Sequence, residues 1–403
     1  MKILFITFSD IGVCSSSNIR NVSLIKGFLD QGDEVDIITY KSSNKALLLD
    51  NSFSLIIDQC NVIPLRGYVT SEAISSYLLT SNKLGKWKDK LYSHLRNVYY
   101  SFETIDNLRK LACSIDIEGL KLRKYDLMIS SSNPYSVHIL AERIKKKYFG
   151  YPIKWIQYWG DPLFLDTLTH HPILPFRIKK AEEKLMKNCD KVVYTNEVVL
   201  NMQKKVFPKI AHKMTYIETP YAFAIPKKDE RIYQVGYFGG YSTSVRDILP
   251  LYSVLKRSNY QSIIIGNGDV KIESQNNLNV MARASVDIVS DIESKTRILV
   301  CICNKLSKRG NETGQIPGKI YHYGSSTHEI LVIGATPMVK QFLSSYNRFV
   351  FVDNNEDDIE RTIQNMLNKP ECRHESLTET LPNYVAKKFT EGYVEINKEL
   401  MDG

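Results

Sequence analysis

Two glycine pairs in the second half of the chain, Gly239 with Gly240 and Gly266 with Gly268, each follow a short apolar run. A residue without a Cβ lets the backbone approach a phosphate and offer its N–H groups, although a plain turn asks for the same residue type. Neither segment completes Gly-x-Gly-x-x-Gly, so a dinucleotide is not the expected ligand. Two cations follow: Arg246, near the start of a predicted helix, and Lys319, in the segment Gly-Gln-Ile-Pro-Gly-Lys-Ile-Tyr-His-Tyr-Gly at 314–324. Either alone reads more readily as a surface residue. Together they can neutralise a diphosphate and stabilise the charge developing on a phosphate leaving group without a metal.

The first half offers fewer groups. Asp161 follows an apolar strand pattern, where a carboxylate can orient a substrate hydroxyl or simply close a turn. His138 sits among Val137, Ile139 and Leu140 and reads as a structural histidine. His170 and His171 have no glutamate or third ligand at short spacing, so no metal site is predicted there. Of the seven cysteines, Cys301 and Cys303 lie closest together, inside an apolar run and without a second pair or a nearby histidine, and they read as buried thiols.

The elements that must position these groups alternate. Residues 3–8 read as a strand, 9–17 as a polar loop holding Gly12, the next stretch to Gly32 as a helix, and 34–40 as a second strand. This is the unit of a parallel sheet. It resumes with strands at 125–130, 153–158 and 191–195, and helices at 137–148 and 178–187. After a Pro-bearing, mixed-charge stretch it restarts with strands at 232–238, 260–265, 278–282, 298–303, 330–333 and 349–352, and helices at 245–256 and 359–367. Residues 78–124 differ in character, reading as helical and rich in Tyr, Leu and Lys. That stretch suits a solvated helix pair or a surface resting on anionic lipid.

The 403 residues suffice for two domains, and the net charge of +9 favours anionic partners without choosing among them. The basic residues form no recognised nucleic-acid module, so no specific nucleic acid is expected. No run approaches the roughly 18 apolar residues of a membrane span, and the N-terminus does not read as a secretion signal, which predicts a cytoplasmic protein.

In order and spacing, these segments resemble glycosyltransferases of the GT-B fold, particularly the retaining family with many bacterial polysaccharide and O-antigen transferases. The first-domain matches are Lys2, Ile3 and Leu4, Gly12, Gly-Asp-Glu-Val at 32–35, Tyr-Trp-Gly-Asp-Pro at 158–162, and Cys-Asp-Lys-Val-Val-Tyr-Thr at 189–195. The second-domain matches are Val-Gly-Tyr-Phe-Gly-Gly at 235–240, Ile-Ile-Ile-Gly-Asn-Gly at 263–268, and Ile-Pro-Gly-Lys-Ile-Tyr-His-Tyr at 316–323. The family's usual pair of glutamates is altered: the second falls at His322 and the first near Gly314. The stretch after Tyr323 is also altered, to Ser-Ser-Thr-His-Glu at 325–329.

The resemblance implies an α/β protein of two Rossmann-like domains facing a central cleft. Residues 1–220 would bind the acceptor, 221–231 would link, 232–385 would bind the nucleotide sugar, and 386–403 would form a helix able to pack back on the first domain. The implied reaction moves a sugar, with retention, from a nucleoside diphosphate sugar to a glycan or lipid-linked acceptor in surface polysaccharide synthesis, with no further cofactor. In it Asp161 orients the acceptor, and Arg246 and Lys319 hold the diphosphate. Gly12, Gly239, Gly240, Gly266, Gly268, Pro317, His322 and Glu329 contact substrate. Association with an anionic membrane at the inner face of the cell membrane, or with a partner transferase, fits the same picture. Two alternatives stay open: a nucleotide-sugar epimerase of this fold, and an inactive transferase-like subunit.

Overall fold

The computed structural model describes residues 1–41, 49–65, 103–150, 152–165, 175–306 and 315–401. The chain divides into two compact units, one of Met1–Leu49, Phe53–Glu218 and Ala386–Gly403, the other of Asp50–Ser52 and Thr219–Val385.

The first unit is built on a seven-stranded sheet. Its strands are β1 (Lys2–Ile6), β2 (Glu34–Tyr40), β3 (Asn61–Leu65), β4 (Leu127–Ser131), β5 (Lys154–Trp159), β6 (Lys191–Tyr194) and β7 (Met214–Tyr216), in the order β3-β2-β1-β4-β5-β6-β7. All pairs are parallel. Ile3, Leu4, Phe5 and Ile6 are all fully buried, as expected of a strand covered on both faces. Pro64, which cannot donate to a ladder, falls in the edge strand β3. Helix α1 (Ser16–Asp30) starts where Ser15 Oγ accepts from the Asn18 N–H and stops at Gly32, whose φ of 81° suits glycine. Further helices are α2 (Ser54–Ile57), α3 (Arg109–Ser114), α4 (Val137–Tyr148), α5 (Pro175–Met186) and α6 (Glu197–Val206).

The second unit holds β8 (Tyr233–Phe238), β9 (Ser262–Ile265), β10 (Leu278–Met281), β11 (Thr296–Ile302), β12 (Glu329–Ile333) and β13 (Phe349–Val352), in the order β10-β9-β8-β11-β12-β13. All its pairs are parallel too. Its helices are α7 (Leu249–Arg257), α8 (Val286–Ser294), α9 (Gly318–Gly324), α10 (Pro337–Leu343) and α11 (Glu356–Leu367). One face buries Val235, Tyr237, Ile264 and Val300 against α7 and α11. The other buries Phe238, Ile265, Leu299 and Cys301 with α9 and α10. Numbered within each unit, both sheets contain the order 3-2-1-4-5-6 of a Rossmann fold, the first with a seventh strand added beyond the sixth. The expected class, two Rossmann-like α/β units, is the observed one.

The chain then returns to the first unit through α12 (Pro382–Met401), where Phe389 is fully buried. Its ring meets Phe28 and Tyr158 edge-on, with centroids 6.2 and 5.1 Å apart.

Several local expectations need correction. The helix expected over 245–256 begins only at Leu249, because Ser242 and Arg246 exchange backbone hydrogen bonds and keep the preceding residues in a turn. Edge strands β3 and β7 were not anticipated, being short and half-exposed in pattern. Tyr221, read as part of a linker, is buried and packs within the second unit. Of the basic stretch at 78–124, residues 78–102 lie outside the described residues, as do His170, His171 and Gly314.

Candidate functional site

In a parallel sheet of this order, ligands bind beyond the carboxyl ends of the strands, where the strand sequence changes direction. In the second unit that point lies between β8 and β11. It is flanked by Gly239 and Gly240 after β8 and by Cys303 and Asn304 after β11.

The four glycines divide into two kinds. A Cβ on Gly266 would stand 1.9 Å from the Gly239 carbonyl oxygen, and one on Gly268 would stand 2.0 Å from the Tyr241 ring. These two are glycine because the loops after β8 and β9 are closed on each other. Gly239 N–H donates to the Ile265 carbonyl at 2.9 Å, and Tyr241 N–H donates to the Asn267 carbonyl at 3.2 Å. Gly239 and Gly240 differ: a Cβ on either would meet nothing nearer than 3.5 Å, and neither has a positive φ. No packing demand explains glycine at these two positions, and Gly240 is exposed at the switch point. Gly266→Ala is therefore expected to cost about 1–3 kcal/mol of unfolding free energy, as overpacking does, since backbone rather than a flexible side chain must yield. Urea unfolding measures this, and an unchanged midpoint would contradict the closed-loop geometry.

The loop carrying Arg246 is held on several sides. Asp269 accepts from the Thr243 N–H at 3.0 Å and from the Ser242 hydroxyl at 3.0 Å. Lys305 Nζ donates to the Thr243 carbonyl at 2.8 Å and pairs with Asp247 at 2.9 Å. Arg246 Nε then donates to Asn304 Oδ1 at 2.8 Å, joining the loop after β8 to the one after β11. Burial pushes the Cys301 thiol up to about 12, and both Arg246 and Lys319 pull against that shift. The two cations singled out from the sequence thus act on one buried group.

Lys319 has a partner the sequence did not reveal. Its Nζ lies 2.9 Å from Oε1 of Glu293, a fully buried carboxylate in the last turn of α8. Oε2 of Glu293 bonds Nε2 of His322. Burial alone would raise the Glu293 carboxyl, but His322 and Lys319 outweigh it and hold the group at about 2. Burial, helped by the Lys319 charge, keeps the His322 imidazole below its ordinary value despite Glu293. The neutral ring, donating Nε2–H to an ionised Glu293, is the state this geometry favours. His322 Nδ1 is buried without a hydrogen-bond partner among the described residues, and Tyr221 covers the ring, centroids 3.9 Å apart. Arg348, itself buried, donates to the carbonyls of Tyr323, Gly324 and Ser326 and satisfies the end of α9.

Two expected substrate contacts are corrected. His322 is only 1% exposed and its Nε2 is engaged by Glu293, so the ring does not present a donor to a ribose hydroxyl. Glu329 opens β12 opposite Ile298, at the amino edge of the sheet and the far end from the glycines, so it does not join their group. Pro317 stands immediately before α9 and Lys319.

In the first unit, Asp161 follows β5 at the carboxyl edge, where Asn133 Nδ2 donates to it at 3.4 Å. Its loop is pinned by the buried Glu182 of α5, which accepts from the N–H groups of Leu163 at 3.2 Å and Phe164 at 2.7 Å. Gly12 N–H donates to Asp10 at 3.1 Å in the loop after β1. His138 is structural, as expected: it is buried, bonded to Ser130 Oγ at 2.8 Å and stacked on Trp159. Among the described residues no group of three or more His, Cys, Asp or Glu could hold a metal ion. No described helix is long and apolar enough to cross a membrane.

No family model matches the chain, nor does any curated protein sequence. Solved structures do. The apo lipopolysaccharide outer core galactosyltransferase WaaB aligns over 98% of this chain and 99% of its own, with a TM-score of 0.52 at 12% identity. UDP-GlcNAc 2-epimerase from Methanocaldococcus jannaschii aligns over 98% and 100%, with a TM-score of 0.51 at 8% identity. AviGT4, a glycosyltransferase involved in avilamycin A biosynthesis, aligns over 98% of both chains with a TM-score of 0.51 at 9% identity. The chain has a GT-B-like fold. At such identities the likeness speaks for the fold alone. In that GT-B-like frame, the glycines after β8 and the Arg246–Asn304 link stand at the switch point of the second unit.

Proposed function

We propose that the chain is an enzyme acting on a nucleoside diphosphate sugar, with the diphosphate at the switch point of the second unit. The observation that carries this reading is the pair Gly239 and Gly240, glycine without a packing reason, beside the fixed Arg246. Gly239 N–H is spent on the Ile265 carbonyl, but with no side chain at 239 or 240 a diphosphate can come close to the backbone there beside the guanidinium, which suits its charge. Lys319 adds to this, since an ammonium has three N–H donors and Glu293 occupies only one direction.

Within that class, transfer of the sugar to a hydroxyl of a glycan or lipid-linked acceptor draws support from Asp161 at the polar edge of the first unit. Retention of configuration comes with the family resemblance. Epimerisation of the donor itself is a second reading, favoured by a fold likeness to the 2-epimerase equal in extent to that with the transferases. An inactive subunit is the third.

The experiment has two stages. Titration with uridine, guanosine, cytidine and thymidine diphosphates should give one tight binder, and Gly240→Val should weaken it at least tenfold while leaving the unfolding midpoint unchanged. Incubation with the matching sugar donor alone then separates the reactions. An epimeric product identifies the epimerase, and slow hydrolysis that gives way to a glycoside when an acceptor is added identifies the transferase. Intact donor after both incubations rejects catalysis. Failure of every nucleotide to bind rejects the whole reading.

A further inference from the structure

The first unit has its own switch point, between β1 and β4, and a charge is buried there. Arg20, in the second turn of α1, is only 7% exposed. Its Nη2 donates to neutral oxygens, Ser131 Oγ at 3.2 Å and the Ser132 carbonyl. Its guanidinium lies over the face of Tyr158, 4.6 Å from the ring centroid. Its Nε is buried without a hydrogen-bond partner among the described residues, and the same is true of Nδ2 of the adjacent, fully buried Asn21.

Sequestering a guanidinium costs several kcal/mol unless an anion compensates it, roughly the penalty of any desolvated ion. Asp161 acts on Arg20 through space, and the hydrogen bonds that Arg20 makes go to uncharged groups. Nη1 reaches the turn that carries Asp161: a Cβ on Gly160 would stand 2.1 Å from it. Glycine at 160 is thus what admits the guanidinium to the turn at the carboxyl edge that carries the half-buried Asp161.

We infer that Arg20 is the anchor of an oxyanion site in the first unit, which takes a phosphate ester or carboxylate carried by the acceptor, with Asp161 beside it to engage the acceptor hydroxyl. This rests on the reading that the first unit binds the acceptor. A planar guanidinium matches either oxyanion and, unlike lysine, stays charged when buried. An acceptor lacking the anion leaves the guanidinium with only uncharged hydrogen-bond partners and the through-space pull of Asp161, so the site favours anionic over neutral acceptors.

The test is calorimetric titration of the full chain with farnesyl phosphate and with methyl glucuronoside, against farnesol and methyl glucoside as neutral counterparts. Each is run with and without the tightest-binding nucleoside diphosphate. At least one anionic probe is expected to bind ten times more tightly than its neutral counterpart, and which one does so names the oxyanion. Arg20→Gln should abolish that preference. Gly160→Ala should do the same by displacing the guanidinium while keeping its charge, with nucleotide affinity changed less than twofold. Equal binding of anionic and neutral probes overturns the site, as does a retained preference in Gly160→Ala, whether or not Arg20→Gln folds. If no nucleotide binds, the donor reading fails, while the titration without nucleotide still decides this one.

Discussion

Lys319→Met is expected to lower unfolding free energy by about 3 kcal/mol, the penalty for leaving a buried carboxylate without its half-buried ammonium partner. The stranded group is the Glu293 carboxylate, fully buried and held at about 2, against the effect of burial, by the His322 hydrogen bond and the Lys319 ammonium. Adding Glu293→Gln should return most of that loss, because a neutral amide can still accept from His322 Nε2–H and no buried charge remains. The double variant also isolates binding from stability. If Lys319 contacts the diphosphate, nucleotide affinity should fall at least tenfold in Lys319→Met/Glu293→Gln, equal to about 1.4 kcal/mol, although the fold is restored. Urea unfolding and nucleotide titration on the same three variants decide both points. A tolerated single substitution would remove the buried pair from the account of stability, and unchanged affinity in the double variant would remove Lys319 from the donor site.

The second large effect is acid sensitivity. His138 is held down to about 3 and His328 to about 4, each chiefly by burial. Both values lie below the ordinary imidazole value of about 6.5, so the unfolded chain binds these protons first. The stability they contribute is fully present above about pH 6.5 and is lost as pH falls from there toward 4 and 3. Each contributes about 1.4 kcal/mol per pH unit within that window, so unfolding free energy should fall by about 3–4 kcal/mol between pH 7 and pH 5. His138→Gln and His328→Gln should each remove about half of that 3–4 kcal/mol, measured by urea unfolding across that range, while the similarly depressed His322 adds its own share to the fall. A profile level from pH 7 to pH 5 would mean that these rings take up protons in the folded chain.

The parallel sheets were legible in the sequence because buried strands write themselves as continuous apolar runs, as in β1 and β11. Strands β3 and β7 escaped for the opposite reason, since a short edge strand need not be apolar on both faces. The glycines were legible as a set, but the division between them was not. Gly266 differs from Gly240 only in which backbone lies opposite, and that is fixed by the pairing of β8 with β9.

Glu293 was the main omission. It lies in a helix whose Asp287 and Asp291 look solvated, and a third acidic residue reads the same way. The available signal was spacing: Val286, Ser290, Glu293 and Ser294 fall on one face of α8, and all four are buried. His322 could be read only as a departure from a resembled segment. A carboxylate arriving from another helix explains how the departure is accommodated, and that depends on tertiary contact rather than on local sequence.

The return of α12 to the first unit bears on how this protein can be dissected. A fragment ending at Glu218 would lack Phe389, baring the Phe28 and Tyr158 rings and unseating the aromatic face on which Arg20 rests. Such a half is expected to need the terminal segment supplied as a separate peptide. A circular permutant that fuses 386–403 ahead of Met1 is the more promising way to obtain the first unit by itself.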